Sequence, residues 1–446
     1  MNDTPDTDQE FRIRVHTSLS DIPSAAWDAL ANPGWSLEPG GKLRKTEDAS
    51  ALAAPANAGA RQAEPSLEAV ETSNRRWESE DEKSDYNPFI SHAFLSSLED
   101  AGCASAKTGW LGQHLVLEDE RGAALAALPC YLKNHSMGEY VFDHGWADAF
   151  HRAGGRYYPK LQSSVPFTPA TGRRFLTGER IDRNVAIAAL SGGLTELCTR
   201  IGASSAHITF LTRHEWEALD SRGYLRRTDQ QFHWLNNGYP DFDGFLDSLA
   251  SRKRKQIRKE RREAVQAGIE IDWITGSDLT EDHWDAFYAF YMDTGRRKWG
   301  QPYLNRNFFS LLSERMADRV LLVMARREGR PVAGALNMIG SHTLFGRNWG
   351  CVEDHPFLHF EVCYYQAIEF AIRHGLSRVE AGAQGMHKLA RGYLPATTYS
   401  AHWIAHPGLR EAVADYLERE RRAVEIETEA LAEHSPFRRT SESRPK

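Results

Sequence analysis

Residues His359–Pro395, HFEVCYYQAIEFAIRHGLSRVEAGAQGMHKLARGYLP, carry the clearest indication of the fold. The first part of this stretch has the apolar period of a helix, which Gly375 ends. Residues 378–381 then alternate as a strand, and three glycines interrupt the regular pattern after it. A helix that leads into a strand and then into a glycine-rich turn predicts an α/β fold.

Polar side chains gather around the end of this predicted strand. They are Glu380, Gln384, His387, Lys388 and Arg391. Because α/β folds place ligands at strand ends of this kind, these residues are candidates for a binding or catalytic site. The competing interpretation is an ordinary helix–strand turn with solvated charges, and the pattern alone does not separate the two.

Length and charge bound the remaining possibilities. A chain of 446 residues predicts two to three domains, each large enough to bury its own core. The net charge of −7 argues against nucleic-acid binding over the whole surface, although a local basic patch is compatible with it.

Cysteine usage and the termini indicate the compartment. The five cysteines are scattered without a CxxC pair, which predicts reduced thiols in the cytoplasm rather than a disulfide framework. The acidic start MNDTPDTDQE has no apolar region typical of a signal peptide. We also find no run of about 18 apolar residues that would predict a membrane span.

The first predicted domain covers residues 11–235. Within it, residues 32–86 are rich in Ala, Gly, Pro, Ser and Glu and poor in large apolar residues, so they predict a disordered insertion. Beyond the insertion we expect a helix over 87–102, strands over 114–118 and 124–132, a helix over 183–201 and strands over 206–211 and 231–235.

A dense polar and aromatic segment follows the early strands of this domain. Its candidate substrate-binding residues are Lys133, Glu139, Tyr140, Asp143, Trp146, Asp148, Tyr158 and Lys160. Aromatic rings interleaved with charges are typical of a pocket or an interface. A twisted edge hairpin with a mixed face remains the alternative.

The second predicted domain covers residues 236–405 and contains a basic helix at 251–267. Residues 251–262 carry eight basic side chains and one acid, a local charge of 8 − 1 = +7. The competing interpretations are a solvated helix face and a contact for RNA, a nucleotide-linked substrate or an anionic membrane. The candidate polyanion-binding residues are Arg252, Lys253, Arg254, Lys255, Arg258 and Lys259.

The rest of this domain predicts helices at 284–294 and 307–316 and strands at 320–326, 331–339 and 342–349. The similar order of elements in both halves suggests a duplicated α/β unit. Residues 406–446 predict a C-terminal helix followed by a disordered tail.

The common catalytic and metal-binding signatures are missing from the sequence. It contains no GxSxG, HExxH, GxxxxGK[ST] or strand-anchored GxGxxG motif. His355 and His359 have the spacing of a metal pair, but Pro356 stands between them. His135, His144 and His151 form a second weak candidate, and we expect no metal site.

Several blocks resemble the FemAB-like branch of the GNAT acyltransferase superfamily, within a bacterial family described as peptidoglycan biosynthesis or recognition proteins. The blocks are NPFISHAFLSSLEDAG, YLKNHSMGEYVFDHGWADA, YYPKLQSSVPFTPATGRRFL, QFHWLNNGYPDFDGFLDSLASRKRKQIRKERR, RKWGQPYL and HFEVCYYQAIEFAIRHGLSRVEAGAQG. The resemblance covers residues 11–405 apart from the insertion. It implies an α/β chain of two tandem GNAT-like domains, with mixed sheets flanked by helices, that transfers an acyl or aminoacyl group to an amine.

The resemblance also implies where the chemistry lies. The acyl donor is expected in the splay between strands 342–349 and 378–381, and the catalytic candidates are Glu380 and His359 with Glu361. The further substrate-binding candidates are Arg347, Trp349, Tyr365, Gln384, His387, Lys388 and Arg391. Backbone amides near 347–350 would stabilise the oxyanion.

The co-substrate is expected to be acyl-CoA or aminoacyl-tRNA, with no permanently bound cofactor. Classical acetyltransferases hold the coenzyme A pyrophosphate in a glycine-containing loop at a helix N-terminus, whereas CVEDHPFLHF at this position has no glycine. This favours an aminoacyl-tRNA donor, which the basic helix would suit, and an acceptor that resembles a muropeptide. The alternative is a non-catalytic protein that recognises peptidoglycan precursors. We expect a cytoplasmic protein, and peripheral association with the inner membrane is compatible with the sequence. The oligomeric state does not follow from the sequence.

Overall fold

A computed structural model describes residues 11–45, 85–298, 302–382 and 385–438. In chain order the strands are β1 (Arg12–His16), β2 (Trp35–Leu37), β3 (Leu43–Lys45), β4 (Trp110–Gly112), β5 (His114–Glu118), β6 (Ala124–Leu128), β7 (Tyr131–Lys133), β8 (Lys160–Ser163), β9 (Leu176–Thr177), β10 (Ser205–Leu211), β11 (Leu225–Leu235), β12 (Ile269–Ile274), β13 (Val320–Arg327), β14 (Arg330–Ile339), β15 (Thr343–Cys351), β16 (Arg378–Glu380) and β17 (Leu394–Ile404).

The α-helices are α1 (Ser24–Ala31), α2 (His92–Asp100), α3 (His144–Arg152), α4 (Arg183–Arg200), α5 (Arg213–Asp220), α6 (Phe242–Ser248), α7 (Ser251–Ala264), α8 (Glu281–Lys298), α9 (Arg306–Met316), α10 (Leu358–Phe360), α11 (Gln366–Arg373), α12 (Met386–Leu389) and α13 (Pro407–Glu433). A π-helical turn, Glu361–Tyr365, joins α10 to α11. The prediction of a mixed α/β chain is confirmed.

The chain divides into two compact units. Of the described residues, unit 1 comprises those up to Trp35 and those within Phe89–Thr228 and Tyr399–Arg421. Unit 2 comprises the described residues within Ser36–Pro88, Asp229–Thr398 and from Arg422 onward. These bounds differ from the predicted 11–235, 236–405 and 406–446. The difference arises because β17 pairs with β10, from Ser205 opposite Ile404 to Thr209 opposite Ser400, which places residues 399–421 in unit 1.

Unit 1 contains an antiparallel sheet in the order β1-β5-β6-β9 and a second set of strands in the order β17-β10-β8-β7-β4. Within the second set, β8 and β10 run parallel. The apolar face of α4 packs on strands of unit 1 through Ile187, Leu190 and Leu194, all fully buried. Each such side chain contributes about 1.5–3 kcal/mol by leaving water.

Unit 2 contains strands in the order β12-β13-β14-β15-β16-β11. β12 to β15 form an antiparallel meander, and β16 then returns parallel to β15. The helical segment 358–373 connects these two strands and buries Tyr365, Ile368 and Ala371 in the unit 2 core. Both units therefore contain a parallel strand pair joined through a helix, which agrees with the suggested duplication.

The predicted bounds of the disordered insertion, residues 32–86, are wrong. Residues 35–37 and 43–45 form the paired strands β2 and β3, and Arg319 Nε donates to the Gly41 carbonyl at 3.0 Å. These contacts order a segment whose composition is poor in apolar residues. Residues 46–84 of the predicted insertion and 439–446 of the predicted tail lie outside the described residues.

Other boundaries also shift. The basic helix α7 ends at Ala264 instead of residue 267, and β11 begins six residues before the predicted strand at 231. In the described part of the chain, no helix is both long enough and apolar enough to cross a membrane.

Candidate functional site

The candidate site lies where β15 and β16 diverge. The two strands pair in parallel through Thr343–Arg378, Leu344–Val379 and Phe345–Glu380. Beyond that point β15 continues to Cys351, whereas β16 ends and the chain turns through Gly382, whose φ of 73° is in the left-handed region. The predicted splay is therefore present in unit 2, with Glu380 at its opening.

Glu380 is a buried carboxylate with few compensating contacts. Its side chain is 3% exposed, and Arg378 Nη2 lies 3.1 Å from its Oε1 atom. Among the described residues, neither carboxylate oxygen accepts a hydrogen bond of acceptable geometry. Burial raises the pKa of Glu380, and the charges of Arg378 and Arg347 offset only part of that rise. A carboxylate with a raised pKa is suited to take a proton from a substrate.

His233 is the neighbour of Glu380 that the sequence did not reveal. The two residues stand opposite each other on the antiparallel strands β11 and β16, with His233 Nε2 4.0 Å from Glu380 Oε2. Burial, together with Arg378 and Lys388, holds the pKa of His233 well below its ordinary value. The imidazole is thus neutral, and it gives Glu380 a polar neighbour without a compensating charge. The alternation of Gln-Phe-His-Trp predicts a strand, but it does not indicate which strand this one pairs with.

Lys388 holds the turn that follows Glu380. Its Nζ atom donates to the Ala381 carbonyl at 2.6 Å and to the Gly382 carbonyl at 2.9 Å. Burial lowers the pKa of Lys388 to about 8. These contacts favour a role in positioning the end of β16, and the substrate contact expected of Lys388 stays a prediction.

Arg391 and Tyr365 meet at a buried carboxylate of the basic helix. Arg391 Nη2 donates to Glu260 Oε2 at 2.8 Å, and the Tyr365 hydroxyl donates to the same oxygen. Arg391 also stacks on Phe360, with Cζ 3.4 Å from the ring centroid. The ion pair and the stacking leave Arg391 and Tyr365 as internal supports of unit 2. Gln384, the remaining candidate of this segment, lies outside the described residues.

An aromatic cluster lies at the start of the helical segment 358–373. The His359 ring centroid lies 5.1 Å from that of Trp349 and 5.4 Å from that of Tyr364. His387 is exposed, and its Nε2 atom and the Tyr364 hydroxyl are hydrogen-bonded at 2.9 Å. The structure therefore brings together three sequence candidates: His359, Trp349 and His387.

Glu361 was expected to assist His359 as a base, but its carboxylate is bound to other side chains. Arg261 donates from Nε and Nη2 to the Glu361 carboxylate at 2.9–3.1 Å, and Gln366 Nε2 donates to Oε1 at 2.7 Å. A carboxylate bound in this bidentate way is a poor proton acceptor. Glu361 starts the π-helical turn, a feature common at functional sites.

The loop before α10 is acidic. Glu353 contacts His355 at 2.9 Å and Arg327 at 3.3 Å, and the exposed Asp354 stands between Glu353 and His355. Carboxylates at this place oppose the binding of a pyrophosphate. Of the two carboxylates, Glu353 is paired with cationic or polar neighbours and Asp354 faces solvent.

In unit 1 the polar candidates form a buried ionic network. Lys160 Nζ donates to Ser136 Oγ at 2.9 Å, Glu139 Oε2 at 2.7 Å and Asp143 Oδ2 at 2.5 Å. Burial alone would lower the pKa of Lys160, but the charges of Glu139 and Asp143 outweigh it and raise the pKa. Burial raises the pKa of Glu139 to about 7.

A second lysine lies directly opposite Lys160. Lys133 on β7 pairs in register with Lys160 on β8, and both side chains are fully buried. Lys133 Nζ lies 3.5 Å from the centroid of the Trp110 ring and donates to the Met137 carbonyl at 3.2 Å. Burial lowers the pKa of Lys133 to about 7.

Two histidines extend this network. The Tyr157 hydroxyl donates to Asp143 Oδ2 at 2.7 Å and lies 3.3 Å from His207 Nε2. His207 Nδ1 is 2.7 Å from His402 Nδ1, so one ring donates and the other accepts. Burial lowers the pKa of His207 to about 3.

The other unit 1 candidates differ in exposure. Trp146 is buried against His402, Tyr140 and Tyr158 are half-buried, and Asp148 is exposed. Within the described ranges, no three His, Cys, Asp or Glu side chains come together as a metal-binding group.

The basic helix α7 is partly neutralised by its own unit. Arg254 pairs with Asp247 at 2.6 Å, and Arg258 pairs with Asp243 at 2.9 Å. Arg261 contacts both Glu361 and Glu369. The local charge counted along the sequence therefore overstates what the helix presents to a partner.

A family model described as FemAB-like, peptidoglycan biosynthesis/recognition, matches residues 68–439. The chain belongs to the FemAB-like family. The family resemblance predicted from the sequence is thereby confirmed. The match covers both the splay of unit 2 and the ionic network of unit 1.

The FemAB-like chain is also similar to solved structures. FemX shares 11% identity over 77% of this chain and 98% of its own, with a TM-score of 0.49. L-PGS from Bacillus licheniformis shares 10% identity over 80% of this chain and 99% of its own, with a TM-score of 0.45. A tandem GNAT protein from the clavulanic acid biosynthesis pathway shares 12% identity over 89% of this chain and 99% of its own, with a TM-score of 0.41. Similarities this distant say nothing about chemistry. No curated protein matches the chain.

Proposed function

We propose that this FemAB-like protein transfers an acyl or aminoacyl group to an amine on an acceptor that resembles a peptidoglycan precursor. The observation that carries the proposal is Glu380, a buried carboxylate with a raised pKa at the opening of the splay. Its oxygens accept no hydrogen bond within the described part of the chain, so an ammonium or amine N–H of the acceptor would supply the missing donor.

In the proposed reaction the acceptor binds beside Glu380. Glu380 takes one proton from the ammonium group, and the neutral amine attacks the donor carbonyl without a covalent enzyme intermediate. The tetrahedral intermediate collapses to an amide as the donor's thiol or hydroxyl leaves with a proton. Backbone amides of residues 347–350 are the proposed oxyanion donors, a role worth about 3–4 kcal/mol per donor in known cases.

We further propose an aminoacyl ester as the donor in preference to acyl-CoA. The support is the loop CVEDHPFLHF before α10, which has no glycine to form a backbone cradle for a pyrophosphate and which exposes Asp354.

The test uses Glu380→Gln, with the exposed Glu270→Gln on β12 as matched control. A thermal-shift screen of aminoacyl-tRNAs, acyl-CoAs and amine-bearing muropeptides first selects the ligands, because a ligand at 100 times its Kd stabilises by about 2.7 kcal/mol. Glu380→Gln should then retain binding and reduce turnover by roughly 10²–10⁴-fold, while the control keeps its activity.

Stability separates the catalytic role from a structural one. Burial raises the pKa of Glu380 in the folded chain above its pKa in the unfolded chain. As the pH rises above the unfolded pKa, the ionised carboxylate therefore destabilises the fold increasingly. Glutamine carries no charge and removes this cost. The Gln variant should therefore melt no lower than wild type at pH 8. A loss of about 3–5 kcal/mol, with activity falling only in proportion to unfolding, would assign Glu380 to a structural ion pair with Arg378. Ligand binding without any turnover by wild type would favour a recognition protein.

A further inference from the structure

The exposed side of α7 carries a line of four cations. Arg252, Lys255, Lys259 and Arg262 recur at steps of three, four and three residues, and all are exposed. At 1.5 Å per residue this basic face is about 15 Å long. The opposite side of the helix is fixed to unit 2 by the buried residues Ile257, Glu260 and Ala264. The basic face therefore has a defined orientation toward solvent.

The cations of this face are less compensated than the three arginines of the helix that pair with acids of unit 2. Among the described residues, Arg252, Lys255 and Arg262 have no carboxylate within ion-pair distance, and Lys259 is 3.7 Å from Glu263. By contrast, Arg254, Arg258 and Arg261 are bound to acids of unit 2 as described above. Since the whole chain carries −7, any attraction to an anionic partner must be local to a face of this kind.

We propose that the basic face docks unit 2 onto the anionic surface of a phospholipid bilayer. Its four long side chains lie along one line, so they can reach a planar surface together. Val265 continues the same side of the helix at 41% exposure and adds an apolar tip. A polybasic segment needs no aromatic groups to bind anionic lipid. Binding of single-stranded nucleic acid relies on aromatic stacking, and the nearby ring of Phe242 is covered by Arg261, whose Cζ atom is 4.3 Å from its centroid.

The test is co-sedimentation of the full chain with vesicles of phosphatidylcholine containing 30% phosphatidylglycerol, and with vesicles of phosphatidylcholine alone. Each Lys or Arg near an anionic surface strengthens binding by roughly fivefold, so the variant R252Q/K255Q/K259Q/R262Q should lose two to three orders of magnitude in partition coefficient. Wild-type binding should require the anionic lipid and weaken as salt rises from 0.1 to 0.5 M.

The matched control removes four exposed cations of unit 1, in the variant R12Q/R121Q/R152Q/R222Q. It changes the net charge equally and should keep its partition coefficient within about threefold of wild type. Equal losses in both variants, or no binding of wild type to the anionic vesicles, would overturn the proposal. Binding of wild type to RNA but not to vesicles would also overturn it and assign the face to nucleic acid. Because no acyl donor is needed, these outcomes are independent of the proposed transfer reaction.

Discussion

Replacing each of the two facing lysines of unit 1 by Met should change stability in opposite directions. Lys133 and Lys160 are both fully buried and stand opposite each other on β7 and β8. Methionine has a similar length and removes the charge in each case. The two positions differ in what the ammonium group contacts, so the comparison isolates the electrostatic environment from the loss of side-chain volume.

At position 160 the charge is strongly compensated. Lys160→Met would leave the carboxylates of Glu139 and Asp143 buried without their shared cation, with which they now make hydrogen bonds of 2.7 and 2.5 Å. Removing one partner of a buried ionic network costs about 3–5 kcal/mol. For a unit of this size, 1 kcal/mol corresponds to about 2–4 °C, so the Tm of unit 1 should fall by roughly 6–20 °C.

At position 133 the charge is poorly compensated. The difference between its ordinary pKa of 10.5 and its folded pKa of about 7, at 1.36 kcal/mol per unit, corresponds to a burial cost of about 5 kcal/mol at pH 6. Lys133→Met removes this cost but also loses the contact with the Trp110 ring, worth about 2 kcal/mol, and the hydrogen bonds to the Met137 carbonyl and to His135 Nδ1, worth about 1 kcal/mol each. The net gain at pH 6 is about 1 kcal/mol.

The sign of the pH dependence follows from the lowered pKa of Lys133. At pH 6 Lys133 is protonated in both the folded and the unfolded chain, so the full cost applies. At pH 9 the folded form is already neutral, the remaining cost falls to about 2 kcal/mol, and the advantage of Lys133→Met disappears. Scanning calorimetry at pH 6 and pH 9 measures both effects. Equal falls in Tm for the two variants at both pH values would show that the two lysines have the same electrostatic environment and would contradict the prediction.

Three further predictions concern other parts of the chain. Glu260→Gln should lower the unfolding free energy by about 3–5 kcal/mol, because Arg391 loses its buried partner; the half-buried Glu263→Gln should change it by less than about 1 kcal/mol in the same urea titration. Deleting residues 46–84, whose composition is poor in large apolar side chains, should leave the Tm within a few degrees, and a collapse of folding would contradict this. If Glu380 is the base, kcat/KM should fall as pH drops through its raised pKa, and a profile unaltered in Glu380→Gln would exclude that role.

Local patterns predicted the regular elements closely. The helix expected over 183–201 is α4 at Arg183–Arg200, and the strand expected over 114–118 is β5 with the same bounds. The position of each element depends on neighbouring residues, since apolar spacing and capping residues act over a short stretch of chain. The position of Glu380 at the end of a strand followed by glycine could also be read directly from residues 378–382.

Contacts between distant residues could not be predicted in this way. His233 is 147 positions from Glu380, and only the pairing of β11 with β16 brings them together. Arg391 and Glu361 looked like free site residues, but they are bound to Glu260 and Arg261 of the basic helix. A charge in a sequence does not reveal its partner, because ion pairs depend on packing.

The α/β class, the family and the residue types available for chemistry could all be predicted from the amino-acid sequence. This was possible because apolar period, composition and motif blocks are properties of neighbouring residues. Which charges are exposed, which are paired and which are buried became known from the folded chain. The surroundings in the folded chain separate the line of four cations on α7 from the arginines that pair with acids of unit 2, and they separate Lys133 from Lys160. The physical reason is that desolvation and ion pairing are set by the three-dimensional surroundings of each group, to which distant segments contribute.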